Sequence, residues 1–374
     1  MEQIIRIGMD TSKSVFQLHG VDASEHACLL RKLRRRGVVP FFAKLEPVQV
    51  GLEACGGSHH WARTLSALGH EVFVIAPQHV KPYVPRGKHD AADAEAICEA
   101  MSRPRTRFVA VKTVEQQALQ MLLGVREQLV RRRTQLSNVI RGHAAEFGFA
   151  VPQGLAQIEP LLARLDGDET VPALARELFA LLGEEYRQVC HRAAALDRKL
   201  IAHFRQDETA RRLGAIPGVG PVGATLLTAK VGDAKAFRCG RDFAAWLGLT
   251  PKNHSTAGKN RLGVITRAGD ERLREVLVSG ATSQIRQVKG NPAKASAWLA
   301  ALLARKPAKL AAVALANKTA RLAWKMMLTG EPYRCDLSGS LAPAPPPSRP
   351  LRAACGGDLR SALTAAPRGA AMPG

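Results

Sequence analysis

An α/β unit leading into a mostly helical second half is the fold class this sequence predicts, on three observations. Residues 4–20 alternate polar and apolar side chains on either side of a polar turn, as two half-buried strands do. From about residue 112 the apolar spacing changes to steps of three and four, the seam of a long helix. Beyond residue 209, helical segments are separated by short turns containing Gly and Pro. The expected divisions are an α/β domain over 1–108, a helical hairpin or coiled coil over 109–208, a C-terminal domain over 209–334 and a tail over 335–374.

Within IIRIGMDTSKSVFQLHG (4–20), a first strand turns at residues 11–13 into a second. LLRKLRRRG (29–37) reads as a basic helix, and PVQVGLEACGG (47–57) as a short apolar strand ending in Glu53. Residues 58–69 read as a helix, HEVFVIAP (70–77) as a strand, and a further helix starts near residue 90. Strands interleaved with helices bury a sheet under helical layers. On the long helix that follows, Ala118, Leu122, Val125, Leu129, Leu136 and Val139 make the seam, with Arg132 at an intervening core-like position. A second helix, about 172–205, carries Leu178, Leu182, Val189, Leu196 and Leu200 on one side. The two form an antiparallel hairpin or an oligomer contact. The tail is rich in Ala, Pro and Gly, buries too little to offset its chain entropy, and is expected to be disordered.

The charge balance narrows the partner. Fifty-four Lys and Arg against 32 Asp and Glu leave +22 on 374 residues, which points to a polyanion, with a merely solvated basic surface as the alternative. No apolar span or basic amphipathic anchor is present, so no membrane partner is expected. MEQIIRIGMD lacks the charge and apolar run of a signal peptide. The seven cysteines are scattered, odd in number and without a CxxC pair, as in the reduced thiols of a cytoplasmic protein.

Against this background four acids stand out. Asp10 interrupts an apolar strand at a central-looking position, where a carboxylate needs a partner or a metal. Glu53 ends another apolar strand and is followed by small residues that leave room for a ligand. Asp90 and Asp93 open a helix, three residues apart on one face. Read alone, that pair is more commonly a capping box, because caps far outnumber metal sites. Together the four supply the hard oxygen ligands that a two-metal phosphodiester site needs for Mg²⁺.

The order GMDTSK, GLEACG, KHDAADAEAI resembles the DEDD transposases of insertion sequences, the IS110 family with its IS1111 subgroup and the related Piv-type DNA invertases. The resemblance implies a RuvC-like, ribonuclease-H-like N-terminal domain with Asp10, Glu53, Asp90 and Asp93 as its metal-binding tetrad. Family members usually carry Asn where this chain has His89.

In the second half, LGAIPGVGPVGA (213–224) resembles a helix-hairpin-helix, in which Gly218 and Gly220 would bring backbone amides to a DNA phosphate; a plain turn between helices is the alternative. The block at 243–281, with its GLTP lead-in and GDERLR run, resembles the family's C-terminal transposase domain. That likeness implies Ser255 in HSTAGK as a nucleophile on DNA, with Thr256 as the other hydroxyl in the loop. Gly258, Lys259, Arg261, Arg267, Arg272 and Arg274 are candidate phosphate contacts, as are Lys318 and Arg321 on a later helix. Arg131, Arg132 and Arg133 form either a solvated face or a phosphate contact. His254 adjoins Ser255, and adjacent side chains on an extended loop point apart, so no His–Ser pairing is expected.

The resemblance spans about residues 4–333 and implies a transposase that cuts and rejoins DNA through a phosphoserine. It also implies a homo-oligomer, dimer or tetramer, with a shared active site, and a structured guide RNA encoded by the element. Two other readings compete. A Mg²⁺-dependent junction-resolving nuclease would use the acids with water and need no serine loop. An architectural DNA-binding protein would have no reason to hold four acids near phosphates.

Overall fold

The computed structural model describes residues 3–84, 90–104, 106–256, 259 and 261–334, and the side chain of Asp90 is outside that set. The tail expected to be disordered, 335–374, lies outside the described residues, as do His89 and Gly258.

A six-stranded sheet organises the first hundred residues. Its strands are β1 (Arg6–Thr11), β2 (Val15–Val21), β3 (Ala27–Arg34), β4 (Gln49–Glu53), β5 (Glu71–Ile75) and β6 (Phe108–Val109), in the order β3-β2-β1-β4-β5-β6. β1, β4 and β5 run parallel, and the outer pairings are antiparallel. Strand alternation splits β1 between two faces. Ile7 and Met9 join Phe16, Leu18, Val50 and Leu52 in a core capped by α1 (Arg35–Phe42) and α2 (Ser58–Ser66). Arg6, Gly8 and Asp10 project to the other side. There, beyond the short α3 (Pro77–Val80), lies α4 (Asp90–Ser102).

The close seating of α4 has a sequence cause. A Cβ on Gly8 would stand 2.1 Å from the Ala94 carbonyl oxygen and 2.6 Å from the Cys98 amide, and one on Gly51 would stand 2.3 Å from Met101 Sδ. The helix answers with small buried residues, Ala94, Ala96 and Ala100. Arg6 then donates from Nε to the Cys98 carbonyl at 3.1 Å.

One expectation is corrected here. LLRKLRRRG is not a basic helix: residues 27–34 are the edge strand β3, and helix begins only at Arg35. The antiparallel ladder with β2 supplies backbone partners, and Leu33 is buried opposite Phe16. The last strand, β6, is a two-residue piece that the sequence reading did not include.

α5 (Val114–Glu146) and α7 (Ala173–Gln206) form an antiparallel hairpin, since Arg126 pairs with Asp197 and Arg132 with Glu185. α6 (Ile158–Asp166) closes its tip, where Leu136 and Ile140 meet Leu161, Leu165, Phe179 and Tyr186. The expected seam is only partly the buried one. Leu136 and Val189 are inside, whereas Ala118 is exposed, Val125 is 38% exposed and Leu178 is 52% exposed. Helix faces are chosen by what packs on them, and Leu123 faces the helical core fully buried, with Leu119 and Leu122 partly buried beside it.

That core is built around α9 (Pro221–Val231), an apolar helix buried on nearly all sides. Around it stand α8 (Glu208–Gly214), α10 (Gly240–Trp246), α11 (Glu271–Gly290), α12 (Ala297–Arg305) and α13 (Ala308–Thr329). A small hairpin, β7 (Pro251–Asn253) and β8 (Leu262–Ile265), projects from this unit.

Because the atoms facing Gly8 are backbone, Gly8→Ala is expected to lift α4 and cost about 1–3 kcal/mol of stability, as overpacking does. Denaturant titration measures this; an unchanged midpoint would mean that the helix has room to spare.

Candidate active site

Met9 lies opposite Leu52 in the parallel ladder, so Asp10 and Glu53 emerge side by side at the same end of adjacent strands. α4 brings Asp93 to them, one residue before the carbonyl that covers Gly8. The Thr11 hydroxyl lies 3.0 Å from Cys55 Sγ, which links the two chain segments just past the acids.

Asp10 and Asp93 act on Glu53. Burial raises the pKa of the Glu53 carboxyl above its ordinary value, and the charges of Asp10 and Asp93 raise it further. Asp90 begins α4 one turn earlier, with its side chain outside the described residues. Among the described residues no group of three His, Cys, Asp or Glu could by itself hold a metal ion. The chemistry of the set nevertheless suits a hard divalent cation: carboxylate oxygens that repel one another are what such an ion neutralises.

Ser255 sits in the turn of the β7–β8 hairpin. Its N–H donates to Asn253 Oδ1 at 2.9 Å, its hydroxyl donates to the same oxygen, and its Oγ accepts from the Arg261 N–H at 3.1 Å. This is an Asx-turn. Asn253 was missed by sequence reasoning, although Asn two residues before Ser is the pattern of that turn. The His254 ring lies against Gly263 on the facing strand. Thr256, Lys259 and Arg261 are exposed around the serine. Among the described elements, β7 and β8 pack chiefly on each other, and β1, β4 and α4 are not among their principal partners.

The predicted cations divide into two kinds. Arg131 pairs with Glu127 and Arg132 with Glu185, both on the hairpin surface. Arg133 turns inward, its Nε buried without a hydrogen-bond partner among the described residues. Arg272 holds Glu127 and the Leu123 carbonyl, and Arg274 donates to the Leu247 and Gly269 carbonyls at 3.2 and 3.3 Å, fastening the base of the serine hairpin. Arg267 is exposed there with a left-handed φ of 57°. Lys318 stands 4.4 Å from the Trp298 ring centre, and burial together with Arg321 lowers its pKa. Gly218, at φ 81°, turns the chain between α8 and α9, and Gly220 directly precedes α9. That turn borders a groove of about 910 Å³, shared with Arg126, Arg272 and Ser279.

Comparison with known proteins follows the same two halves. A family model for transposases of the DEDD IS110 type matches residues 7–148, and one described as the transposase IS116/IS110/IS902 family matches residues 210–297. A relative named as a transposase in Sinorhizobium fredii is 63% identical over 89% of this chain and 87% of its own length. The transposase for insertion sequence element IS1328 of Yersinia enterocolitica is 38% identical over 88% of this chain and 98% of its own. That for element IS1111A of Coxiella burnetii is 39% identical over 90% and 93% respectively.

A carboxyl whose folded pKa is raised binds more protons in the folded state, so stability falls as pH rises from the ordinary glutamate range through the folded value. Glu53→Gln removes that loss. It is expected to be more stable than the parent at neutral pH and to converge with it below the glutamate range, as read by urea denaturation at several pH values. Lower stability of the variant at neutral pH would show that the acids do not repel.

Proposed function

This chain belongs to the IS116/IS110/IS902 transposase family and is a DNA transposase, and on that premise we propose that Asp10, Glu53, Asp90 and Asp93 are its metal-binding acids and Ser255 its nucleophile. The observation that carries the first half is the convergence of Asp10 and Asp93 on Glu53, registered in its raised pKa. Bound Mg²⁺ would neutralise the phosphate and stabilise the attacking and leaving oxygens. The Ser255 oxygen forms the new bond to phosphorus as its proton departs, and the broken strand's oxygen leaves and takes up a proton. The phosphoserine keeps the phosphodiester's energy, so rejoining needs no external source. Asn253 holds the serine hydroxyl in place beforehand.

The sheet order with α4 on its acid face supports a RuvC-like domain over 1–108. We place the hairpin domain over 109–208 and the serine domain over 209–334. The α8–turn–α9 segment, with Gly218 and Gly220, serves as a helix-hairpin-helix. The packing of β7 and β8 chiefly on each other supports a site completed by a second copy of the chain, with acids from one protomer and serine from the other. The exposed cations Lys259, Arg261, Arg267 and Arg321 hold element ends and target DNA, and a structured guide RNA is the second polyanion. No described helix is long and apolar enough to cross a membrane, and the work is placed in the cytoplasm, where the DNA is.

The packing of β7 and β8 chiefly on each other, and not on the acid-bearing elements, also favours a second reading, a nuclease that uses the acids with water. Labelled target DNA and Mg²⁺, followed by denaturing gels, decide between them. A covalent protein–DNA adduct lost in Ser255→Ala and in Asp10→Ala is the expected result, with both variants still binding DNA. Mixing the two variants is expected to restore part of the cleavage. Free nicks that survive Ser255→Ala would establish the nuclease, and an adduct mapped to Thr256 would remove Ser255 from the chemistry.

A further inference from the structure

We propose that Lys32 and Arg34, on the exposed edge strand β3, form with Gln17 a track for the phosphodiester backbone of a nucleic-acid strand running from the acid cluster to the sheet edge. The ladder registers place Asp10 opposite Gln17, and Gln17 opposite Lys32. Residues directly opposite in antiparallel pairs project from the same face of a sheet. Two strand spacings separate Lys32 from Asp10, about 10 Å. At ~3.4 Å of axis per nucleotide, that spans about three phosphates of one strand.

The face is open where the track lies. α4 covers β1, β2 and β4, whereas β3 packs chiefly on β2 and α1. Leu30, on the same face as Lys32 and Arg34, is 73% exposed. Lys32 and Arg34 are themselves exposed, and no hydrogen bond or ion pair among the described residues engages their side chains. Their neighbours differ. Arg31 lies 5.0 Å from the Phe41 ring centre and Arg35 5.1 Å from that of Trp61, against the helices of the other face. Arg31 and Arg35 thus rest on rings of the other face, while Lys32 and Arg34 extend from the side of the acids. A strand whose reacting phosphate approaches three carboxylates is repelled along its flanks, and cations one sheet-width away offset that repulsion. The half-buried Gln17 between them adds a neutral hydrogen-bonding group.

Charged residues on an edge strand also prevent sheets from pairing edge to edge, so the experiment separates the two roles. The track rests on reading the acids as the reacting site. Full-length Lys32→Gln/Arg34→Gln protein is titrated with fluorescent single-stranded DNA, duplex DNA and structured RNA across a salt series, with folding checked by circular dichroism. Loss of two phosphate contacts is expected to flatten the log–log salt slope by about 1.4 on single strands and about 1.8 on duplex. Flattening on the DNA probes alone assigns the track to DNA, on RNA alone to RNA, and Lys32→Arg/Arg34→Lys is expected to retain the slope. If the double variant is misfolded, each single Gln variant is expected to lose about half as much. An unchanged slope with all three probes overturns the track, including the case where the variant aggregates on standing, which is edge protection. The acid site is judged separately: cleavage by Asp10→Ala sinks that reading and leaves the salt slopes to stand for themselves.

Discussion

The close contact of α4 with the sheet at Gly8 and Gly51 is the constraint on which the candidate site depends. Any side chain at Gly8 would meet the helix backbone, so the contact exists only because Gly8 and Gly51 leave room where Ala94, Cys98 and Met101 approach. It sets Asp93 beside Asp10 and Glu53, and it covers the sheet only as far as β2, leaving the edge strand open. Apolar packing on the opposite face, from Ile7, Met9 and Leu52 to Phe42 and Trp61, holds the strands that carry the acids.

Electrostatics then divides the molecule. A chain of net charge +22 collects carboxylates at one point, where Asp10 and Asp93 raise the cost of ionising Glu53. Elsewhere many acids are matched to arginines, as in Arg126 with Asp197, Arg272 with Glu127 and Arg107 with Asp242. Such pairs join helices to one another, and the cations they consume are not available to a phosphate. Lys32, Arg34, Lys259, Arg261 and Arg267 are exposed and stand outside these pairs.

The second half is organised by burial in place of charge. α9 is enclosed by helices from both sides of the chain, and the N-terminal half of α5 enters the same core through Leu119, Leu122 and Leu123. The serine hairpin is the exception, an exposed arm with Leu262 and Val264 outward, tied down at its base by Arg274 and by Asn317 donating to the Leu249 carbonyl. A rigid base with an exposed tip suits a loop that meets its partner outside its own domain.

Several features were determined by the sequence alone. β1, β2, β4 and β5, the long helices and the start of α4 follow from periodicity, because a side chain's direction repeats every two residues in a strand and about every 3.6 in a helix. The polyanionic partner follows from composition, and the family from motif order. Tertiary structure decided the rest. Residues 29–37 have helix-forming composition, yet 29–34 became strand because β2 offered an open row of backbone partners. Val125 and Leu178 fit the helical seam and still face outward, because burial depends on what lies opposite. That Asp10, Glu53 and Asp93 meet, and that Lys32 shares their face, was fixed by ladder register and by the depth at which α4 could settle. Both are set by backbone atoms far apart in sequence, where no local pattern reaches.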